Sequence, residues 1–231
     1  MDSDSVTNSY SLLPLHANAV LLAHDLNVSV FSQLWLVRNE ILDEADFGPA
    51  TMFSHAAVAV QARTFHLTIL PDRLQLLPND IGNGAVVNEV FGKILKLLPH
   101  TPFRALGFNF NFAFGPKDPA EFQQWNRQSF KPNVLNALPL DDGSNPLFGA
   151  YFSYDESGFR AKIDLKPCPS SQFPALLQTG YPKDSQVMIA SFNFHRDLGN
   201  DDPALIALEL LPNWNQVFES ALVITTQLSS K

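Results

Sequence analysis

The stretch of this sequence that most resembles a catalytic motif is HRDL at residues 195–198. In protein kinases His-Arg-Asp belongs to the catalytic loop, and an Asp-Phe-Gly that follows it binds magnesium. Here Asp46-Phe47-Gly48 precedes HRDL by about 150 residues, and Asp202 stands where the kinase pattern has Asn. The segment GNGAVV also lacks the third glycine of the kinase loop that covers the phosphates. The order and content of these motifs therefore exclude a kinase.

Two His-Asp pairs remain as candidate site residues: His24 with Asp25, and His195 with Asp197. Each pair is predicted to lie at the end of a β-strand. If these strand ends are neighbours, two imidazoles and two carboxylates converge, which is enough to bind a metal ion or to carry out acid–base catalysis. The alternative, which we favour, is that these polar residues cap strands at the surface.

Other catalytic and metal-binding motifs are missing from the sequence. The six histidines form no HExxH motif and no paired zinc spacing, and neither GxSxG nor a Walker loop occurs. The single cysteine, Cys168, lies between two prolines, where no adjacent basic residue lowers its pKa. We therefore predict no cofactor and no bound metal, and these absences favour a non-enzymatic protein.

The composition predicts a globular protein with a weakly charged surface. Of the 231 residues 45% are hydrophobic, 19 are Phe and only 16% are charged, against roughly 25% in typical soluble domains. Because little charge is available to cover the surface, self-association or burial against another protein subunit is favoured. We expect a homo-oligomer, most simply a dimer, with aromatic residues at the contact.

Charge and cysteine content exclude further classes. Residues 1–115 carry 6 basic and 10 acidic side chains and residues 116–231 carry 9 and 13, so neither half offers the positive stripe that nucleic-acid binding requires. The N-terminus is acidic where a signal peptide is basic, and no stretch approaches the ~20 apolar residues of a membrane span. A lone cysteine suits a reducing compartment. We expect a cytoplasmic protein without membrane or nucleic-acid partners.

Hydrophobic periodicity predicts an α+β fold with a largely antiparallel sheet and helices packed on one face. The clearest strand lies within FRALGFNFNFAFGP, where Phe108 and Phe110 alternate with Asn109 and Asn111 and so define one apolar and one polar face. We expect Phe108, Phe110 and their counterparts Phe192 and Phe194 to be buried, and Asn109 and Asn193 to face the other side of the sheet.

The chain is predicted to divide into a flexible tail (1–16), a first α+β half (17–130), a connector rich in Pro, Asn, Asp and Gly (131–146) and a second half (147–231). The halves pack either separately or as one domain. FNFNFAFGPKDPA at 108–120 matches FNFHRDLGNDDPA at 192–204 in seven of thirteen positions, an offset of 84 residues. This spacing predicts a repeated unit of hairpin, helix, strand and helix. Chance similarity is the alternative, since Phe is abundant and Asp-Pro is a common helix start.

Two functional hypotheses follow from these observations. The first is a non-enzymatic interaction or scaffold protein that acts as an oligomer or as a subunit of a larger assembly. The second is a metal-dependent or hydrolase-like enzyme that uses His24, Asp25, His195 and Asp197. No motif in the sequence identifies a substrate, a partner or a family.

Overall fold

The computed structural model describes residues 12–130 and 146–230, which fold around one nine-stranded antiparallel sheet. In spatial order the strands run β2-β3-β4-β5-β1-β6-β9-β8-β7, so β6 and β9 lie inside the sheet while β2 and β7 form its edges. The strand bounds are β1 Leu13–Ala23, β2 Met52–Phe53, β3 Val58–Gln61, β4 Phe65–Leu70, β5 Arg73–Pro78, β6 Phe103–Phe114, β7 Ala150–Glu156, β8 Phe159–Pro169 and β9 Gln186–Asp197.

The helices are α1 Gln33–Arg38, α2 Gly84–Leu97, α3 Pro119–Phe130, α4 Pro174–Gln178, α5 Pro203–Leu210 and α6 Trp214–Ser229. Both α5 and α6 pack against β6, and α2 packs against α5 and β5. The start of α3 follows the expected capping pattern, because the Asp118 carboxylate accepts a hydrogen bond from the Glu121 main-chain N–H at 2.9 Å and Pro119 occupies the first helical position.

The alternating Phe pattern holds the helices on one face of the sheet. Phe108, Phe110, Phe192 and Phe194 are all buried, which confirms the prediction from periodicity. The Phe110 ring meets Trp214 of α6 at a centroid distance of 4.9 Å in an edge-to-face arrangement, a geometry that adds to the stabilisation from burial alone. Since the side-chain period of a strand is two, the intervening Asn109 and Asn193 lie on the opposite face.

A smaller apolar cluster covers one end of that opposite face. Its buried members are Ala113, Cys168, Leu176, Tyr181, Val187 and Ile189. The short helix α4 contributes Leu176, so one helical turn lies across the sheet from α6. The Tyr181 hydroxyl donates a hydrogen bond to the Gly115 carbonyl at 3.0 Å, which fixes this segment against the end of β6.

The predicted α+β class with a largely antiparallel sheet is confirmed. The helices α2, α5 and α6 share one face of the sheet, while the five-residue α4 lies on the other. The predicted tail reached residue 16, whereas β1 begins at Leu13, so the last residues assigned to the tail belong to the sheet. Residues 1–11 of the tail and 131–145 of the connector lie outside the described residues. None of the helices within the described ranges has both the length and the apolar character needed to span a membrane.

The predicted repeat of two halves is not confirmed. At an offset of 84 residues the two parts of the chain do have the same order of elements, namely hairpin, helix, strand and helix. The corresponding pairs are β4 and β7, β5 and β8, α2 and α4, β6 and β9, and α3 and α5. However, β8 pairs directly with β9, whereas β1 lies between β5 and β6. The hairpins therefore occupy different positions relative to their following strands, and the division into two halves stays a prediction.

Candidate functional site

The candidate residues His195 and Asp197 line a surface depression of about 260 Å³. It lies between the turn that joins β7 to β8 and the last residues of β9. The imidazole Nε2 of His195 is 3.0 Å from Oδ1 of Asp197, and Arg160 pairs with Asp155 at 3.2 Å. Other lining residues are Gly158, Phe159 and Arg196. The Asp197 side chain is 86% exposed, so water screens the interaction and it contributes little to stability.

The structure does not bring His24 and Asp25 to this pair. Strands β1 and β9 flank β6 and run in the same direction, so their ends lie at the same end of the sheet. Yet Ala23 lies opposite Phe103, while His195 lies opposite Gly107. The offset of four residues between Ala23 and His195 corresponds to roughly 13 Å along the strands. Asp197, opposite Ala105, is nearer in register to Ala23, and the intervening strand β6 separates the two pairs.

Two of the four candidate residues therefore meet and two lie apart. Both His24 and Asp25 are exposed, and the main-chain N–H of His24 donates to the Pro102 carbonyl at 3.0 Å. Within residues 12–130 and 146–230, no group of three or more His, Cys, Asp or Glu side chains is arranged to hold a metal ion. The contact between His195 and Asp197 is a single hydrogen bond, and it becomes an ion pair when the imidazole is protonated.

A row of polar side chains crosses the middle of the open sheet face. It consists of His16 and Asn18 on β1, Asn109 on β6 and Asn193 on β9, and we call it the amide row. The Nδ2 of Asn193 donates to Oδ1 of Asn109 at 2.7 Å, and the Nδ2 of Asn109 donates to Oδ1 of Asn18 at 2.8 Å. The three Asn residues lie directly opposite one another in the strand registers. The row thus links three strands in one register.

The amide row ends at His16, which fixes the state of that imidazole. The Nδ2 of Asn18 lies 2.8 Å from the His16 Nε2, and an amide nitrogen can only donate. His16 must therefore accept at Nε2, which requires the neutral ring with its proton on Nδ1. Partial burial also lowers the pKa of His16 from its usual value of 6.5, because desolvation disfavours the charged form. Geometry and burial both favour neutral His16.

The edge strand β7 exposes aromatic side chains on both of its faces. Tyr151 is 62% exposed and Phe152 is 50% exposed, and successive residues of a strand point to opposite faces. On one side β7 pairs with β8 along all seven residues, and on its outer side no strand within the described ranges pairs with it. Its outward N–H and C=O groups are a template for another strand.

Helix α6 runs beside this edge on the covered face of the sheet. Asn213 donates to the Ser157 carbonyl in the turn after β7 at 3.2 Å, and Ser220 of α6 lies near enough to the Tyr154 hydroxyl to act on its pKa. Tyr154 also donates to the Glu156 carboxylate at 2.9 Å. Desolvation, with a further contribution from Glu156, raises the pKa of Tyr154 to about 12. The tyrosine is therefore a neutral hydrogen-bond donor at physiological pH.

Cys168 is not in an environment that would activate it as a nucleophile. The residue is buried in the smaller apolar cluster, and desolvation raises the pKa of its thiol. Because the thiolate is the reactive form, a raised pKa reduces reactivity. Lys166, two residues away, acts to lower the pKa of the thiol, which the sequence did not lead us to expect, but desolvation is the larger effect.

Sequence reasoning missed the amide row and the β7 edge as surface features. Asn109 and Asn193 were predicted to share the open face, but Asn18, which accepts a hydrogen bond from Asn109, was not predicted to join them. The alternation of Asn18 with Ala17 and Ala19 could have assigned Asn18 to the open face, since both alanines are buried on the covered face. The edge position of β7 depends on strand order, which local periodicity does not encode.

Comparison with known proteins adds no family assignment: no protein-family model matches the chain and no curated protein matches it.

Proposed function

We propose that this chain is a non-enzymatic interaction protein that acts as an oligomer or as a subunit of a larger assembly. The observation that supports this function is the β7 edge, where Tyr151 and Phe152 are largely exposed on a strand whose outer side pairs with no strand of residues 12–130 and 146–230. Exposed aromatic residues are enriched at protein contacts, and strand edges recruit further strands. The low proportion of charged residues, 16%, supports the same conclusion.

The same properties argue against nucleic acid as the partner. The four Phe residues of the two FNF segments are buried under the helices, so they are not available to stack on bases. A net charge of −8 disfavours contact with phosphates. A cytoplasmic location, suggested by the single cysteine, remains part of this proposal.

Light scattering behind a sizing column tests the proposal. The wild-type chain should elute with a mass above the 25.6 kDa of one chain or with a captured protein subunit. Phe152→Lys places a charge at the exposed edge and should reduce the mass to that of one chain. Leu34→Lys is a matched control, because Leu34 is 58% exposed on α1, away from this edge. Circular dichroism of both variants checks that they are folded.

A single-chain mass for the wild type at all micromolar concentrations, with no co-purifying subunit, would reject the proposal. Equal effects of Phe152→Lys and Leu34→Lys on the mass would show that the β7 edge is not the contact. The comparison of the two variants therefore separates the function from the location of its surface.

A hydrolase-like enzyme is the second candidate, favoured by the 3.0 Å contact between His195 and Asp197 inside a depression that Arg160 and Arg196 also line. An imidazole beside a carboxylate is a common acid–base arrangement. Metal analysis of the purified protein and an esterase and phosphatase substrate panel test it. The enzyme hypothesis requires a stoichiometric metal or a turnover that is lost in His195→Ala and retained in His24→Ala.

A further inference from the structure

We propose that the partner is a second copy of this chain, and that the two β7 strands pair antiparallel about a two-fold axis at Ser153. The inference rests on the proposed function and specifies its partner. Each subunit contributes a nine-stranded sheet, so the pairing creates one continuous sheet through the dimer. A contact of this kind is isologous, because the same surface of each subunit faces the other.

The sequence of β7 is complementary to itself in this register. With Ser153 opposite the second Ser153, Phe152 lies opposite Tyr154 and Tyr151 lies opposite Asp155 of the other copy. Cross-strand aromatic pairs stabilise an antiparallel ladder, whereas directly opposed like charges destabilise it. Centring the axis on Asp155 instead would set two carboxylates against each other. The Ser153 centre is also the one that pairs all seven residues of Ala150–Glu156.

The β7 edge lacks most of the devices that protect natural sheet edges. Lysine, proline and very short strands discourage edge pairing, and Ala150–Glu156 contains neither Lys nor Pro and is seven residues long. Two protective features are present. The strand ends in the carboxylates Asp155 and Glu156, and the Arg160 guanidinium donates to the Ser153 carbonyl at 3.4 Å. Strand pairing would replace that long bond with a main-chain bond, while Arg160 keeps its 3.2 Å contact with Asp155.

Side chains of α6 extend the contact beyond the strand. A stable dimer buries roughly 800 Å² on each partner, so main-chain pairing along a seven-residue edge needs support from a second element. Since Ser220 lies beside Tyr154, Val223 follows at nearly one helical turn along α6. Val223 is 51% exposed. Together with Phe152 it continues the apolar strip along the edge on the covered face of the sheet.

Single-cysteine variants across β7 test the register. The native cysteine is first replaced by Cys168→Ala in every variant, and Ser153→Cys, Tyr151→Cys and Asp155→Cys are then made separately. Residues directly opposite in an antiparallel pair have Cα atoms about 4.5–5.5 Å apart, within the range that a disulfide spans. Two copies of position 151, or of position 155, are offset by roughly 13 Å along the strands, which a disulfide does not span.

The proposal therefore predicts a disulfide-linked dimer from Ser153→Cys under mild oxidation, with about tenfold more product than from Tyr151→Cys or Asp155→Cys alone. A mixture of the Tyr151→Cys and Asp155→Cys proteins should form the mixed disulfide, because these positions face each other across the axis. Unlinked Ser153→Cys protein must retain the mass of the wild type and its circular dichroism spectrum, which serves as the control for folding.

Two negative results have different meanings. If the wild type is oligomeric but Ser153→Cys does not cross-link, or cross-links no better than the offset variants, the β7 pairing is overturned and the proposed function stands. If the wild type has the mass of one chain throughout, the second copy is rejected, and a co-purifying subunit decides whether the interaction function survives.

Discussion

Aromatic side chains occupy two regions of this sheet with opposite exposure. In its interior, Phe110 on β6 and Phe192 on β9 are buried on the face that the helices cover. At its edge, Tyr151 and Phe152 on β7 are 62% and 50% exposed. Both regions consist of strands in which aromatic residues recur, so local sequence does not explain the difference. Strand order explains it, because β6 and β9 have neighbours on both sides, whereas β7 has one neighbour among the strands that the structure describes.

The comparison indicates that the same residue type serves two purposes. A buried Phe contributes to folding through the apolar area removed from water and through its ring contacts. An exposed Phe contributes little to folding and is available to a partner. For each variant we expect a change in the free energy of unfolding, measured by urea denaturation at a protein concentration low enough to dissociate the chain, so that association does not contribute to the values.

Phe110→Ala should produce the largest loss of stability, about 3–5 kcal/mol. The Phe110 ring packs against Trp214, Phe194 and Phe218 at centroid distances of 4.9, 6.0 and 5.4 Å. Removing it leaves a cavity between β6 and α6 that these large rings cannot fill without moving. A loss below about 1 kcal/mol would show that the interior of the sheet is not the main source of stability.

Asn109→Ala should cost about 1–3 kcal/mol, because it leaves Asn18 and Asn193 without their hydrogen-bond partner at the middle of the amide row. Asn18 is only 7% exposed, so water does not easily replace the lost bond. Asn111→Ala is the matched control on the same face of β6, where the described residues show no side-chain hydrogen bond to Asn111. Equal losses in the two variants would argue against a stabilising role for the row.

Acidification should lower stability through His16. The folded-state pKa of His16 lies below its unfolded value of 6.5, so the unfolded chain binds more protons as the pH falls below about 6.5. The contribution of neutral His16 is fully present above that pH and declines as the pH falls toward the folded-state pKa. His16→Gln retains an acceptor for Asn18 without titrating, so its stability should decline less between about pH 7 and pH 5 than that of the wild type. Parallel declines would exclude His16 as the cause.

Phe152→Ser should have the smallest effect on folding, within about 0.5 kcal/mol under conditions where the protein is dissociated. Half of the Phe152 side chain is already in water, so little apolar area is returned to solvent on unfolding. A loss of about 3 kcal/mol, comparable with that of a buried Phe, would remove the distinction between the interior and the edge.

The sequence predicted those features that depend on local periodicity. The alternation of Phe and Asn predicted the two faces of β6, and the structure contains them. The hairpin of β4 and β5 and the helix α2 have local patterns of the same kind, with spacings of two and of three to four residues. The start of α3 also follows a local rule, with Asp118 before Pro119.

Features that depend on distant strands were not predicted. The insertion of β1 between β5 and β6 joins residues about 90 positions apart, as in the contact of Asn18 with Asn109. The separation of His24 from His195 follows from the register of the strands. The alternation of residues within one strand does not determine its register against a strand that is distant in the sequence. Of the four candidate residues, His195 and Asp197 are in hydrogen-bond contact, whereas His24 and Asp25 do not join them, and a catalytic role for any of them stays a prediction.

Amide hydrogen exchange at two protein concentrations tests the central claim most directly, because it reports on main-chain hydrogen bonds at each strand. At both concentrations the amides of β6 should be protected, since that strand is paired on both sides. The outward-facing amides of β7 should be protected only at the concentration at which the chain is associated, and those of the two-residue edge strand β2 should not change. Exchange of the β7 amides at the same rate at both concentrations, while light scattering shows association, would contradict strand pairing at this edge.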